Sequence, residues 1–115
     1  MNYIDNKAIQ RWHKLGPLNI EKMIEDNNLQ ISDVFPTHDD KYFGQIENGE
    51  RHGIGRLTCL SIYEGQYRKG IRYGFGRLIY HSGSYYIGEV RGIHKHGKGT
   101  YYSSSEEKFY SGLWI

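Results

Sequence analysis

A tyrosine followed two residues later by glycine opens a pattern that recurs along the chain, and this periodicity limits the fold more than any other feature. The first copy runs Tyr42-Phe-Gly44-Gln-Ile46 and continues to Gly53-Ile-Gly55-Arg-Leu57. The second runs Tyr63-Glu-Gly65-Gln-Tyr67 to Gly74-Phe-Gly76-Arg-Leu78, and the third Tyr86-Ile-Gly88-Glu-Val90 to Gly97-Lys-Gly99-Thr-Tyr101. A fourth starts at Tyr110-Ser-Gly112-Leu-Trp114. The opening tyrosines lie 21, 23 and 24 residues apart, and each full copy reaches the first glycine of its Gly-x-Gly pair 11 residues past its tyrosine. Periods of this size signal a repeat architecture, in which each unit buries apolar surface against its neighbours. Of the 15 glycines, 14 lie at or beyond Gly44, so the glycine excess belongs to the repeats.

Within each copy, apolar and polar residues alternate with the period of two that marks a strand. The spacing predicts a hairpin per copy, with a six- or seven-residue glycine-rich turn and glycines at positive φ or close backbone approach. One face would carry the tyrosines with Ile46, Leu57, Cys59, Tyr67, Leu78, Tyr80, Val90 and Tyr101. The other would carry Gln45, Glu47, Arg56, Glu64, Arg68, Arg77, Glu89 and Arg91. One apolar face and one wet charged face suit an antiparallel meander. The fold class is therefore mainly β: a single-layer antiparallel sheet of hairpin repeats with an N-terminal helical segment.

The unit resembles the MORN repeat, Tyr-x-Gly-x-Trp-x-x-Gly-x-x-x-Gly-x-Gly, over residues 42–115. Three full copies and a partial fourth stand in phase. The repeat-structural residues on this reading are Tyr42, Gly44, Gly53, Gly55, Tyr63, Gly65, Gly74, Gly76, Tyr86, Gly88, Gly97, Gly99, Tyr110 and Gly112. The tryptophan position holds Ile46, Tyr67 and Val90, and Trp114 alone matches. The third copy has Ile93 at the mid-turn glycine position and Gly92 one place early, which implies a different turn there.

Residues 1–41 read as a separate cap or docking segment with its connector. Residues 1–40 have net charge −3, against +5 for the rest. Asp5 is placed to cap a helix whose apolar stripe is Ala8, Ile9, Trp12 and Leu15, and Gly16-Pro17 stops it. A second short helix is expected from Asn19, with Ile20, Met23 and Ile24 on one face, ending at Asn27-Asn28. Residues 29–41 read as an irregular connection anchored by Leu29, Ile31, Val34 and Phe35. The first helix would cover the apolar face of the sheet; the competing reading docks it, through Trp12, on a partner.

Length and composition exclude much. A chain of 115 residues holds one domain and a short extension. Mean hydropathy is −0.73, and no run approaches the ~20 apolar residues of a membrane span. A single cysteine, Cys59, forms no internal disulfide and suits a reducing compartment; its repeat phase makes it a small buried residue. No h-region of a secretory signal is present, while Lys7, Arg11 and Lys14 on an amphipathic helix leave mitochondrial import open. Gly92-Ile-His-Lys-His-Gly97-Lys98 imitates the start of a P-loop, but Gly99 and a strand follow where Ser or Thr and a helix are required. His94-x-His96 supplies two of the three or four ligands zinc needs. No nucleophile–base order stands out from the repeats. No catalytic, cofactor or metal residue is assigned, and the chain is read as a non-enzyme. Ser103-Ser-Ser-Glu-Glu107 is a polar loop with hydroxyls beside acids, read as solvated or as a phosphorylation site.

The sequence points instead to interaction. Arg51, Arg72 and Lys95 each lie nine residues past a repeat tyrosine, and the hairpin reading puts them in the turns along one edge, thickened by His52, Lys69, His94 and His96. Such a row suits an acidic protein strip or anionic phospholipid; no nucleic-acid motif accompanies it. The strand Tyr110–Ile115 is apolar on both sides at Leu113, Trp114 and Ile115, which suits pairing with another subunit or a second copy of the chain. The MORN resemblance implies a structural or adaptor subunit of a larger cytoskeletal or ciliary assembly, of the radial-spoke kind, in the cytoplasm or axoneme. The alternative is a peripheral module binding acidic phospholipid through the basic edge.

Overall fold

A computed structural model describes residues 6–24, 29–32, 41–105 and 109–114 of the chain. Two helices, α1 (Lys7–Leu15) and α2 (Ile20–Met23), precede eight strands: β1 (Gln30–Ser32), β2 (Lys41–Glu47), β3 (Glu50–Thr58), β4 (Ile62–Arg68), β5 (Ile71–Ile79), β6 (Tyr85–Arg91), β7 (His94–Tyr102) and β8 (Phe109–Trp114). They form one antiparallel sheet in sequence order, β1 to β8. β1 corrects the expectation of an irregular connection: residues 30–32 pair with Gly44–Ile46 of β2 and extend the meander by a strand. Val34, Phe35, Asn27 and Asn28 lie outside the described residues.

Each hairpin closes on two residues, not on the expected six or seven. Asn48 and Gly49 both have positive φ (53° and 76°), as do Lys69 and Gly70 (50° and 81°). This is the type I′ pattern, whose twist matches the strands it joins. In the third hairpin Gly92 has φ 62° while Ile93 stays out of the positive region. That is the type II′ pattern, with glycine at the first central position, so the displaced glycine sets the turn type there.

The glycine-rich stretch read as a turn is instead a bulged strand. From Gly44 to Ile46 β2 advances two residues while β3 advances four, from Gly55 back to Arg51, and the same slip recurs between β4 and β5 and between β6 and β7. The side chain three residues past each repeat tyrosine fills the gap. Gln45 Oε1 accepts Ile54 N–H at 3.0 Å, Gln66 Oε1 accepts Phe75 N–H at 2.7 Å, and Glu89 Oε2 accepts Lys98 N–H at 2.7 Å. A Cβ at Gly53, Gly74 or Gly97 would overlap that acceptor, which is why the eleventh position is glycine. The thirteenth is glycine because the repeat tyrosine lies flat on it: a Cβ at Gly55, Gly76 or Gly99 would overlap the ring of Tyr42, Tyr63 or Tyr86.

Helix α1 is capped by Asn6, whose side chain accepts Ile9 N–H at 3.0 Å. Asn6, not Asp5, makes the cap; Asp5 itself lies outside the described residues. Asn19 caps α2 as expected, accepting Lys22 N–H. The helix packs on its own sheet, but on the opposite face from the one expected. Ala8, with Ile9, Trp12 and Leu15, meets Ile62, Ile79, Tyr85 and Tyr102, which alternate away from the repeat tyrosines. The charged face therefore carries the cap, and its charges hold it. Glu64, 0% exposed, accepts from Arg77 at 2.6 Å, from Arg56 at 3.4 Å and from Leu18 N–H at 3.0 Å. Arg77 also donates to Gly16 O at 2.8 Å and Arg56 to Leu18 O at 3.4 Å. The Arg56 guanidinium sits 5.2 Å from the Trp12 ring. The Gly16-Pro17-Leu18 stop signal is thus pinned over the middle of the sheet.

Three substitutions test these contacts. Glu64→Ala leaves the buried Arg77 guanidinium without its counter-ion, and should cost ~3–5 kcal/mol in urea unfolding. Gly76→Ala should cost ~1–3 kcal/mol or more, because Tyr63 must leave its seat. Gly49→Ala, which has open space and only an unfavourable φ, should cost about 1 kcal/mol.

Candidate functional site

The face opposite the helix is built from the repeat itself. Tyr42, Tyr63 and Tyr86 are buried although no second layer of the described residues covers them. Each ring rests on its glycine, and each hydroxyl donates to the carbonyl three residues on: Gln45 O at 2.6 Å, Gln66 O at 2.8 Å and Glu89 O at 2.8 Å. The residue at the tryptophan position links neighbouring copies. Tyr67 meets Tyr42 and Tyr63 edge-on at 5.6 and 5.1 Å, and Trp114 meets Tyr86 and Tyr110 edge-on at 5.7 and 5.0 Å. Leu57, Leu78 and Val90 complete the core, with Ile46, Tyr80 and Tyr101 packed against it.

The basic residues singled out by their spacing lie on this face, on strands and not in the turns. Arg51, Arg72 and Lys95 are the second residues of β3, β5 and β7. All three are half-buried. Arg51 stands 5.3 Å from the Tyr67 ring and Arg72 5.0 Å from the Tyr63 ring. The Lys95 ammonium lies within 5.0–5.8 Å of Tyr80, Tyr86, Tyr101 and Trp114. The correction has a physical cause: the two-residue turns lengthen the strands, and the ninth position then alternates onto the aromatic side. There a cation gains the attraction of the ring faces. Of the residues expected to thicken the row, His52 bonds locally, accepting Lys69 N–H at 3.2 Å and approaching Glu47 at 3.3 Å. His94 and His96 are exposed and alternate to the other face.

By alternation, Arg51, Arg72 and Lys95 are the charged side chains of this face among the described residues; Glu47, Glu50, Glu64 and Glu89 alternate to the other side. Around Lys95 a depression of about 440 Å³ is lined by Tyr80, His81, Ser82, Ser84, Tyr101 and Trp114. Tyr80 and Tyr101 were not singled out as site residues by spacing alone, although both fall in phase with the repeat. Gln45 and Glu89 were assigned to the wet face and Gln66 to neither; the signal that the three act together is an acceptor recurring three past each tyrosine.

The terminal strand divides as expected: Leu113 and Trp114 point to opposite faces. Leu113 is 67% exposed, while the Trp114 indole donates to Gly99 O at 3.2 Å. Tyr110 is 54% exposed; its ring lies near Gly112, more loosely than the rings of the full copies lie on Gly55, Gly76 and Gly99. Ile115 lies outside the described residues. Cys59 is half-buried, not buried, and its thiol donates to Ser61 O. Gly97 and Gly99 sit within β7, with no helix N-terminus beside them among the described residues.

Burial raises the hydroxyl pKa of Tyr42, Tyr63 and Tyr86 above the ordinary tyrosine value. Burial likewise pushes Tyr67 up to about 12, against the opposing pull of Arg51 and Arg72. The neutral phenol is the form the fold favours. Its stabilisation is therefore whole below pH 10 and is lost as pH rises from there through about 12. Alkaline titration by tyrosinate absorbance should resolve a delayed class comprising these four, ionising together with loss of the β circular-dichroism signal.

The sequence profile of the MORN repeat matches residues 42–59, 63–85 and 86–106, three adjacent segments that coincide with the three bulged hairpins. Comparison with curated proteins gives no match. The MORN repeat is a non-enzymatic motif of protein and membrane-lipid interaction. Period, hairpin geometry and profile agree, and the chain belongs to the MORN-repeat family.

Proposed function

We propose that this chain is a non-enzymatic interaction subunit whose tyrosine face receives an acidic segment of a partner protein. The observation that carries this reading is the chemistry of the face: Arg51, Arg72 and Lys95 each lie over aromatic rings of the repeat. A cation held over a ring is partly ordered in advance, which reduces the freedom it must lose on binding. Exposed edges of Tyr80, Tyr101 and Trp114 would take apolar side chains between the acids. On this reading the chain is an adaptor or structural subunit of a larger assembly. Cytoskeletal and ciliary complexes of the radial-spoke kind, in cytoplasm or axoneme, are the settings proposed for it.

A second reading rests on a different surface. Phe75 (61% exposed), Ile87 (46%) and Leu113 (67%) lie together on the helix-bearing face beside Lys98, around a depression of about 540 Å³. Exposed apolar side chains next to a cation suit the headgroup layer of an anionic membrane.

The test uses Trp12→Phe protein, so that Trp114 reports alone. A glutamate-rich peptide with interspersed leucines should perturb Trp114 fluorescence, with affinity falling steeply between 50 and 300 mM salt. Arg51→Gln, Arg72→Gln and Lys95→Gln together should weaken binding ~10-fold or more at low salt. Unchanged affinity in the triple variant would remove this face from the reading. Co-sedimentation with phosphatidylserine vesicles that survives the triple variant but is lost in Phe75→Ser with Leu113→Ser would favour the membrane surface.

A further inference from the structure

The repeat sets the cations of the tyrosine face at a fixed interval. Arg72 and Lys95 stand at the same phase of successive copies, each the second residue of the returning strand of its hairpin, β5 and β7. Gly76 and Gly99 face each other across Gly88. Equivalent positions of the two copies are therefore two strand spacings apart, about 10 Å, measured across the strands. Both side chains are half-buried, and neither joins an ion pair among the described residues. The Arg72 guanidinium lies 5.0 Å from the Tyr63 ring, and the Lys95 ammonium 5.0 Å from the rings of Tyr101 and Trp114. Arg51, at the same phase of the first copy, also donates to Gly70 O at 3.5 Å, and the interval does not depend on it. The surface at the Lys95 end is aromatic: Tyr80, Tyr101 and Trp114 line the depression of about 440 Å³ around the ammonium.

We infer that the segment received by Arg72 and Lys95 is an acidic polyproline-II strand with a carboxylate at every third residue, an inference that rests on the reading of this face as a receiver of acidic segments. A polyproline-II chain has three residues per turn and rises ~3.1 Å per residue, so every third side chain returns to the same side after ~9.3 Å. That length matches the interval between the cations. A β-strand alternates, so its carboxylates on one side recur at ~6.7 or ~13.4 Å and miss one cation or the other. An α-helix with acids seven residues apart spans ~10.5 Å, but at ~10–12 Å across it rides over the depression at Lys95 instead of entering it. The aromatic lining favours the same choice. Polyproline-II segments dock in grooves lined by aromatic rings, and a chain already extended loses little freedom on binding. Prolines between the acids would lie against the ring edges of Tyr80, Tyr101 and Trp114 while the carboxylates reach the cations.

Calorimetric titration of the whole 115-residue chain with three peptides of equal charge tests the inference. One is four Glu-Pro-Pro units. The second has the same residues with its glutamates alternately two and four apart. The third is an alanine-rich helix with four glutamates seven apart. The first should bind ~10-fold or more tighter than the other two at low salt, since it alone meets both cations at once. In Arg72→Gln and in Lys95→Gln the preference should vanish, because a single cation has no interval to match. The comparison of peptides on the parent chain decides the matter even if a variant fails to fold. Equal affinity of the first two peptides for the parent would overturn the interval and leave the acidic-segment reading standing. Tighter binding of the helical peptide would overturn the polyproline-II assignment. A preference that persists undiminished in both folded variants would overturn the role of Arg72 and Lys95. Binding of none of the three would remove the acidic-segment reading, and this inference with it.

Discussion

The structure depends on one contact made three times: a tyrosine ring laid flat on a glycine of the neighbouring strand. A single-layer sheet has no second layer to bury its apolar face, yet Tyr42, Tyr63 and Tyr86 are buried. The ring reaches its own sheet because the partner position lacks a Cβ, and the hydroxyl closes the arrangement by bonding a carbonyl three residues on. The bulge beside it makes this geometry possible, and the Gln or Glu at the third position satisfies the amide the bulge releases from the ladder. Burial without a hydrogen-bond partner would cost each of these polar groups more than the contact returns.

Because the tyrosine face completes itself, the helix goes elsewhere. It covers the apolar ends of the other face at Ile62, Ile79, Tyr85 and Tyr102, and the chain that follows it is held by Glu64, Arg56 and Arg77. A buried ion pair is weak evidence of net stability, since desolvation offsets most of the attraction. It does specify position: the carboxylate also accepts Leu18 N–H, and both arginines reach carbonyls of the 16–18 segment. Among the described residues no helix lies on the tyrosine face, and its three cations lie over their rings. The two faces thus differ in what completes them, one the chain's own helix and one the repeat itself.

Much of this was legible beforehand. Tyr-x-Gly and Gly-x-Gly at constant spacing specify strands, hairpins and their order, because a glycine required by a clash cannot drift along the sequence. Gly92, one place early, announced a changed third turn, and Asn19 announced the second cap. The turn length was misjudged because glycine marks both turns and close approaches; Gly53, Gly74 and Gly97 serve the bulge and only Gly49, Gly70 and Gly92 the turns. That error carried Arg51, Arg72 and Lys95 to the wrong place, since two-residue turns draw them into strands and onto the rings.

By itself, then, the sequence determined the repeat, the strand order, and which residues share a face, because alternation and steric need at glycine are local and periodic. Only the tertiary structure decided which face the helix would take. That choice turns on Glu64, which occurs in one copy of the repeat and has Phe43 and Ile87 at the equivalent positions. A carboxylate becomes a buried anchor only when Arg56, Arg77 and the Leu18 amide converge on it from three separate segments. No period in the chain encodes that convergence, because it is made by folding distant residues onto one atom group.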